Sequence, residues 1–186
     1  MKQSTHLKHL VLTGLFAAMI YLTTAFLFHI PTANGGYIHL GDAFIYFAAS
    51  ILPMPYAMVS AAIGAGLSDL LTPGGVVWVI PTIIIKPLLV MWFTPYSEKF
   101  LVKRHIIALF GAGVVGLIGY AIASGVIYGN MMAALLSIPM GALQPIGCAI
   151  LYFVLGLTFD KMKVKGQWSR LLGMKNERNV EHDYTI

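Results

Sequence analysis

The chain has 186 residues, of which 58% are hydrophobic and only 10% are charged, and its mean hydropathy is +0.80. Soluble domains carry roughly a quarter of their residues as charged side chains, so this composition excludes a soluble globular protein. It also excludes a disordered chain, which needs low hydrophobicity and high charge. The 19 glycines and 9 prolines fit helices packed in lipid, and we therefore expect a helical integral membrane protein.

The net charge of +5 does not indicate binding to nucleic acid, because the charged residues are concentrated in polar segments. Of the 12 Lys and Arg residues only Lys86 lies inside an apolar run, and of the seven acids only Asp42 and Asp69 lie among apolar neighbours. The single cysteine, Cys148, excludes an internal disulfide and a cysteine-based metal cluster. We predict no nucleic-acid partner, no metal site and no cofactor.

Six apolar runs predict transmembrane helices, each of which needs about 20 mostly apolar residues. They cover residues 10–28, 37–52, 56–71, 76–93, 106–128 and 131–159. The first run is too long for the h-region of a signal peptide, which has roughly 7–15 residues, and no cleavage site follows it. The second and third are short for a full crossing, so we expect protein to shield one or both. Pro81 and Pro87 predict a kink in the fourth.

The distribution of basic residues predicts the orientation in the membrane. With six spans, both termini lie on the same side as the turn at 53–55 and the loop at 94–105, and that side receives eleven Lys and Arg residues. The opposite loops, at 29–40, 72–75 and 129–130, contain none. By the positive-inside rule both termini are then cytoplasmic. We expect a multi-pass protein of the cell membrane, with one membrane domain at 1–160 and a polar, solvated cytoplasmic tail at 161–186.

Small residues recur at helical spacing on three of the predicted helices, and such stripes let helices approach closely in lipid. The first helix has Gly14, Ala18, Tyr21 and Ala25; the third has Ala57, Ala61, Gly64, Ala65 and Ser68; the fifth has Ala112, Gly116, Tyr120, Ser124 and Tyr128. Each stripe predicts packing within the chain or a surface left for a partner protein. The first helix is the better candidate for a partner surface, because Gly14 and Ala18 lie in its cytoplasmic half.

Three charged residues lie within the apolar runs, where ionisable groups normally face the interior of a bundle or a cavity. Asp42 begins the second helix, where it acts as a helix N-cap, contacts a ligand beneath the 29–40 loop, or does both. Asp69 lies near the outer end of the third helix, and Lys86 lies about 15 Å into the fourth. Side chains lean towards the N-terminus of their helix, so these two approach one another. They form a structural ion pair or a polar site that holds a ligand.

Aromatic and polar side chains share faces of two helices. The spacing of four places Trp78, Thr82 and Lys86 on one face, and Gln144, Cys148 and Tyr152 on another. Trp78 either belongs to the interfacial aromatic belt or stacks on a ligand. The loop after the first helix contains Asn34, Tyr37 and His39, and its two glycines allow it to fold over a site as a lid.

Three motifs resemble a known family. They are Tyr-Ile-His-Leu-Gly-Asp-Ala-Phe at 37–44, Gly-Ala-Gly-Leu-Ser-Asp-Leu-Leu at 64–71 and Ile-Pro-Thr-Ile-Ile-Ile-Lys-Pro at 80–87. Together they resemble the substrate-binding S components of energy-coupling-factor (ECF) vitamin transporters, and most closely the riboflavin-type and hydroxymethylpyrimidine-type branch. The resemblance covers residues 7–160.

This resemblance implies an all-α integral membrane protein with six transmembrane helices that captures a vitamin or precursor at the outer face, under the first loop. It implies a non-catalytic subunit that joins a transmembrane coupling component (EcfT) and two cytoplasmic ATPases and topples in the membrane to release substrate inside. Family members dock through small residues on the first helix, for which the nearest match here is 14–18, with glycine in the first place. The docking candidates are Gly14, Ala17, Ala18 and Tyr21.

The candidate substrate-binding residues are Asn34, Tyr37, His39, Asp42, Tyr46, Asp69, Trp78, Thr82, Lys86 and Gln144. With two acids and one base, such a site carries about one negative charge, which disfavours a strongly anionic ligand such as folate. We expect hydroxymethylpyrimidine or a form of vitamin B6 as the substrate. Riboflavin fits the family, but no residue singles it out.

Two other functions stay open. A stand-alone secondary transporter or channel is one, although the inverted repeats common in such folds are not visible. An intramembrane hydrolase is the other, and it needs a serine and a histidine at one depth. The helical serines are Ser50, Ser60, Ser68, Ser124 and Ser137, whereas His29 and His39 flank the outer loop.

Overall fold

The computed structural model describes residues 2–27, 30–31 and 37–173, and over these residues the chain consists of helices, one short strand pair and connecting turns and loops, of which the longest covers residues 91–102. The helices are α1 Lys2–Phe26, α2 Gly41–Ile51, α3 Met54–Leu71, α4 Val79–Val90, α5 Lys103–Tyr128, α6 Met131–Leu136, α7 Ile138–Gly141, α8 Leu143–Lys161 and α9 Val164–Leu171. A 3-10 turn at Val76–Trp78 leads into α4. The strands β1 Ile30–Pro31 and β2 Tyr37–Ile38 pair antiparallel, which was not predicted.

Four helical segments are long and apolar enough to cross a membrane: Thr5–Phe26, Met54–Leu71, Lys103–Tyr128 and Ile138–Lys161. They coincide with four of the six predicted spans. The second and fourth predicted spans form the shorter apolar segments Gly41–Ile51 and Val76–Val90. Pro81 falls in the first turn of α4, where a missing N–H costs little, and Pro87 lies inside that helix.

Helix α2 is short because protein, rather than lipid, surrounds it. Ten of its eleven residues are buried, and it packs against α1, α3, α4 and α8. A helix that is hydrophobic on every side is stable only when it is enclosed, as this one is. The expectation that protein shields the second apolar run is confirmed. Its position inside the bundle brings Asp42, in its first turn, close to α4 and α8.

The small residues of α3 pack within the chain. Ala57, Ala61 and Ala65 are at most 1% exposed, and α3 lies along α1. At Gly64 the contact is closest, since a Cβ added there would lie 2.5 Å from the backbone oxygen of Ala17. Only glycine lets the two backbones meet at this distance. The stripe on the third predicted helix is therefore an internal packing surface.

The sixth predicted span is broken, because turns at Ser137 and Ala142 divide it into α6, α7 and α8. Beyond it, α9 packs back onto the bundle: Lys165 and Leu172 are at most 2% exposed, and Lys165 donates hydrogen bonds to Ser97 Oγ and the Lys99 oxygen. Most of residues 161–173 are exposed, so these contacts anchor one face of α9, and the solvated tail stays a prediction. The division at 160 and 161 remains a prediction.

Candidate substrate-binding site

A cavity of about 890 Å³ lies at the end of the bundle where α2 begins and α3 and α5 end. Its walls come from β2, α2, the end of α3, the turn into α4, α4 itself, α5 and the broken helix α6–α8. Eight of the predicted substrate-binding residues line it: Tyr37, His39, Asp42, Tyr46, Asp69, Trp78, Thr82 and Gln144. Asn34 lies outside the described residues. The volume falls within the range of small-molecule pockets, roughly 300–1,000 Å³.

Lys86 does not line the cavity but forms an ion pair beneath it. Its Nζ lies 2.6 Å from Asp42 Oδ1, and the two side chains are 2% and 7% exposed. The sequence suggested a structural ion pair between Asp69 and Lys86. That prediction is wrong, because the acid that pairs with Lys86 is Asp42. Helices α3 and α4 do pack together, but α2 lies beside both helices and places Asp42 next to the ammonium.

Asp42 is not a helix N-cap, because Leu40 holds that position and makes no side-chain cap. The carboxylate is occupied on both oxygens instead. Oδ1 accepts from Lys86, and Oδ2 accepts from Gln144 Nε2 at 2.8 Å. These three residues, Lys86, Asp42 and Gln144, are termed the ion-pair network. It joins α4, α2 and α8 by buried charge-assisted hydrogen bonds, which are stronger than neutral ones.

The segment before α2 is held against this network. His39 Nδ1 accepts from the backbone N–H of Gly41 at 3.0 Å, and Cys148 Sγ lies 3.5 Å from the His39 backbone oxygen. The His39 ring lies 5.6 Å from the ring of Tyr37 on β2. The end of the first loop, at residues 37–39, is thus anchored beside the cavity.

Asp69 lies on another part of the cavity wall and pairs with Tyr37. The Tyr37 hydroxyl donates to Asp69 Oδ1 and lies 3.4 Å from Ser68 Oγ. Burial, and then the nearby Asp69 carboxylate, raise the pKa of Tyr37, so the phenol remains a neutral donor. Asp69 Oδ2 is buried and has no hydrogen-bond partner among the described residues. The second predicted acid therefore keeps a free acceptor.

Trp78 is part of an aromatic wall. It is 5% exposed, and its ring lies 6.0 Å from Tyr120 and 6.1 Å from Tyr128. A belt residue faces lipid headgroups, so the belt interpretation of Trp78 is wrong. Thr82, one turn further along, shares a 2.8 Å hydrogen bond with the Tyr120 hydroxyl, and Lys86 Nζ lies 5.0 Å from the centre of the Tyr120 ring. The predicted face of α4 thus lies against α5.

Sequence reasoning missed the contribution of α5. All five members of its stripe line the cavity: Ala112, Gly116, Tyr120, Ser124 and Tyr128. Their spacing alone predicts a packing surface or a surface for a partner protein. The strict spacing of four does predict one face, and polar aromatics alternate with small residues on it. That alternation was the available signal, because tyrosine hydroxyls and hollows left by glycine suit a pocket better than a helix contact.

The docking candidates on α1 divide between two faces. Gly14 and Ala18 are exposed, and a Cβ at Gly14 would have nothing within 4 Å. Tyr21 is half-buried. Ala17, however, is 7% exposed and packs towards α3, so it does not belong to the exposed face. The remaining small residues form an open strip of helix surface.

A family model described as "ECF-type riboflavin transporter, S component" matches residues 4–161 of the chain. None of the curated proteins and none of the solved structures matches the chain. S components are non-catalytic, substrate-binding subunits of multi-pass membrane transporters, and the family implies association with a coupling component and ATPases and a vitamin substrate. With its long apolar helices and its aromatic-lined cavity, the chain belongs to the family of ECF-type riboflavin transporter S components.

Proposed function

We propose that this chain captures a small heterocyclic vitamin or precursor at the outer face of the membrane and delivers it inward when docked on EcfT and the ATPases. The observation that carries the proposal is the 890 Å³ cavity, whose wall combines Trp78, Tyr120 and Tyr128 with a few polar groups. Aromatic rings stack on flat heterocycles, and sparse polar groups fix their orientation.

The charge of the site guides the choice of substrate. In the ion-pair network Lys86 balances Asp42, so Asp69 is the remaining acid on the cavity wall. This arrangement favours a neutral or basic ring and opposes an anionic one. We therefore propose hydroxymethylpyrimidine or a form of vitamin B6. Riboflavin, which the family description names, is the first competitor to compare.

The proposed orientation places both termini in the cytoplasm and the cavity at the outer face. The loops at the cavity end contain no Lys or Arg, whereas the opposite end carries Lys99, Lys103, Arg104 and the basic residues of α9. The positive-inside rule then assigns the basic end to the cytoplasm. In this orientation the exposed Gly14 and Ala18 lie near the middle of α1, within reach of a membrane partner.

Uptake in whole cells tests the proposal. Cells that cannot take up the vitamins themselves would express the chain alone or with its coupling component and ATPases, and receive labelled hydroxymethylpyrimidine, pyridoxine or riboflavin. We expect uptake of one compound, and only with the complete set. Uptake by the chain alone would show a stand-alone transporter instead. Hydrolysis of a substrate without ATPases would support the hydrolase.

Substitution of the exposed strip tests the docking surface. Gly14→Leu and Ala18→Leu fill a surface on which close helix approach depends. We expect each to reduce the coupling component that co-purifies by about tenfold or more, because small residues at such contacts have no room to adapt. Vitamin binding stays normal, since neither residue lines the cavity. Gly166→Leu makes the same change in open space on α9 and serves as the control. Full co-purification of both α1 variants would refute the assignment.

A further inference from the structure

The cavity contains little free charge. Among the described residues that line it, the acids are Asp42 and Asp69, and there is no Lys or Arg. Both Asp42 oxygens already accept hydrogen bonds, one from Lys86 and one from Gln144. A ligand therefore gains little from Asp42 and has no cation to meet. Asp69 is the acid that is left for recognition.

Two buried polar atoms on the cavity wall have no hydrogen-bond partner among the described residues: Asp69 Oδ2, an acceptor, and Trp78 Nε1, a donor. A buried polar group without a partner costs about 1–3 kcal/mol, so native proteins rarely leave one without a reason. An acceptor and a donor left open beside one cavity are complementary to a ligand edge that offers a donor and an acceptor.

The two atoms belong to the same stretch of wall. Helix α3, which carries Asp69 near its end, packs against α4 and against the 3-10 turn that contains Trp78, and Trp78 precedes Thr82 by four residues, which is one helical turn. Residues at this spacing lie about 5–6 Å apart on a helix surface. The hydroxyls nearby are already engaged, since Tyr37 donates to Asp69 Oδ1 and Thr82 bonds to Tyr120.

We propose that Asp69 and Trp78 read the edge of the substrate ring: Asp69 Oδ2 accepts a hydrogen bond from an N–H group, and Trp78 Nε1 donates one to a ring nitrogen or oxygen. The substrate is then a neutral or cationic nitrogen heterocycle with an amino or ring N–H donor beside an acceptor. Lys86 is a positioning residue that acts through Asp42 and does not touch the ligand. This inference rests on the proposed function and names the atoms that carry its selectivity.

Binding of two matched probes to the purified wild-type protein tests it without any substitution. The probes are 4-amino-5-hydroxymethyl-2-methylpyrimidine and the same compound with hydrogen in place of the amino group, compared by calorimetry in detergent. Loss of the N–H donor leaves Asp69 Oδ2 unpaired, so we expect the second probe to bind at least tenfold more weakly. Equal binding of the two probes would overturn the inference.

Two variants assign the effect to atoms. Asp69→Asn should weaken binding of the amino probe about tenfold and remove the preference for it, because the replacement amide loses the charged acceptor. Trp78→Phe keeps a ring and removes the donor, so we expect a loss of about fivefold. The controls are Asp160→Asn and Trp168→Phe, which make the same changes away from the cavity. Size-exclusion chromatography confirms that each variant is folded.

The outcomes separate this inference from the proposed function. If the wild-type protein binds a vitamin and both cavity variants bind it equally well with the same preference, the recognition by Asp69 and Trp78 is wrong and vitamin capture stands. If the wild-type protein binds neither probe, nor pyridoxine, nor riboflavin, vitamin capture itself fails, and the inference fails with it.

Discussion

Buried polar side chains occur in two regions: at the loop that joins α4 to α5, and at the cavity at the other end of the bundle. The two regions differ in whether the hydrogen bonds of these side chains are satisfied within the chain. At the loop, His105 has its ring nitrogens 2.8 Å from the Phe100 oxygen and 3.0 Å from the Thr94 oxygen. The Asp160 carboxylate accepts from the backbone N–H groups of Phe100 and Leu101 at 2.7 and 2.9 Å. These groups find their partners within the chain.

At the cavity, Asp69 Oδ2 and Trp78 Nε1 are equally buried and lack such partners among the described residues. The contrast separates two uses of a buried polar group. A satisfied group holds the fold together, whereas an open one beside a cavity keeps its hydrogen-bonding capacity for a ligand. Substitutions at the loop should therefore change stability, and substitutions at the open atoms should change affinity.

Substitution of Lys86 has the largest expected effect on stability. It tests whether the ion-pair network stabilises the fold, as the polar groups at the loop do, or serves ligand binding. Lys86→Met leaves Asp42 buried without its cation, so we expect the free energy of unfolding to fall by about 3–5 kcal/mol. Thermal unfolding in detergent measures the loss. The double variant Asp42→Asn with Lys86→Met contains no buried charge and should recover most of the stability. A single variant as stable as the wild-type protein would show that the pair contributes nothing.

Asp160 gives the next effect. Asp160→Ala removes the acceptor for two backbone N–H groups, and we expect a loss of about 2–3 kcal/mol in the free energy of unfolding, because hydrogen bonds to charged groups are the stronger ones. Vitamin affinity should not change, since Asp160 lies at the far end of the bundle. We expect the opposite for Asp69→Asn, which should lower the vitamin affinity and leave the free energy of unfolding nearly unchanged. A loss of affinity in Asp160→Ala would break the separation between the two regions.

The smallest effect is expected on the wall that sequence reasoning missed. Tyr128→Ala removes an aromatic ring that lies 6.1 Å from Trp78, and we expect vitamin affinity to fall about threefold to tenfold. Tyr96→Ala changes a comparably exposed tyrosine on the loop between α4 and α5, and its affinity should match the wild-type value. Equal affinities of the two variants would remove α5 from the binding surface.

Local patterns predicted most of the fold and much of the cavity. Apolar runs located all six helical regions, because lipid requires long apolar segments, but they missed the early start of α1 and the breaks within the sixth run. The motif at 37–44 contains Asp42, and the motif at 80–87 contains Thr82 and Lys86. Helical spacing placed Trp78, Thr82 and Lys86 on one buried face, as the structure shows.

Other features depend on which helices are neighbours, and one sequence does not determine this. The partner of Lys86 is Asp42 because α2 lies between other helices, which a comparison of depths along α3 and α4 does not reveal. The α5 stripe has the same small residues whether it meets a helix or a cavity. The position of α9 also depends on a distant contact, between Lys165 and Ser97.

Mass spectrometry of the small molecule that remains bound after gentle purification in detergent tests the central claim most directly. The account predicts one heterocyclic vitamin or precursor in about equal amount with the protein, neutral or basic, with an N–H donor next to an acceptor, and lost from Asp69→Asn. An anionic ligand held in equal amount by the wild-type and Asp69→Asn proteins would contradict the recognition described for the cavity. A protein that retains no molecule and binds none of the vitamins would contradict substrate capture.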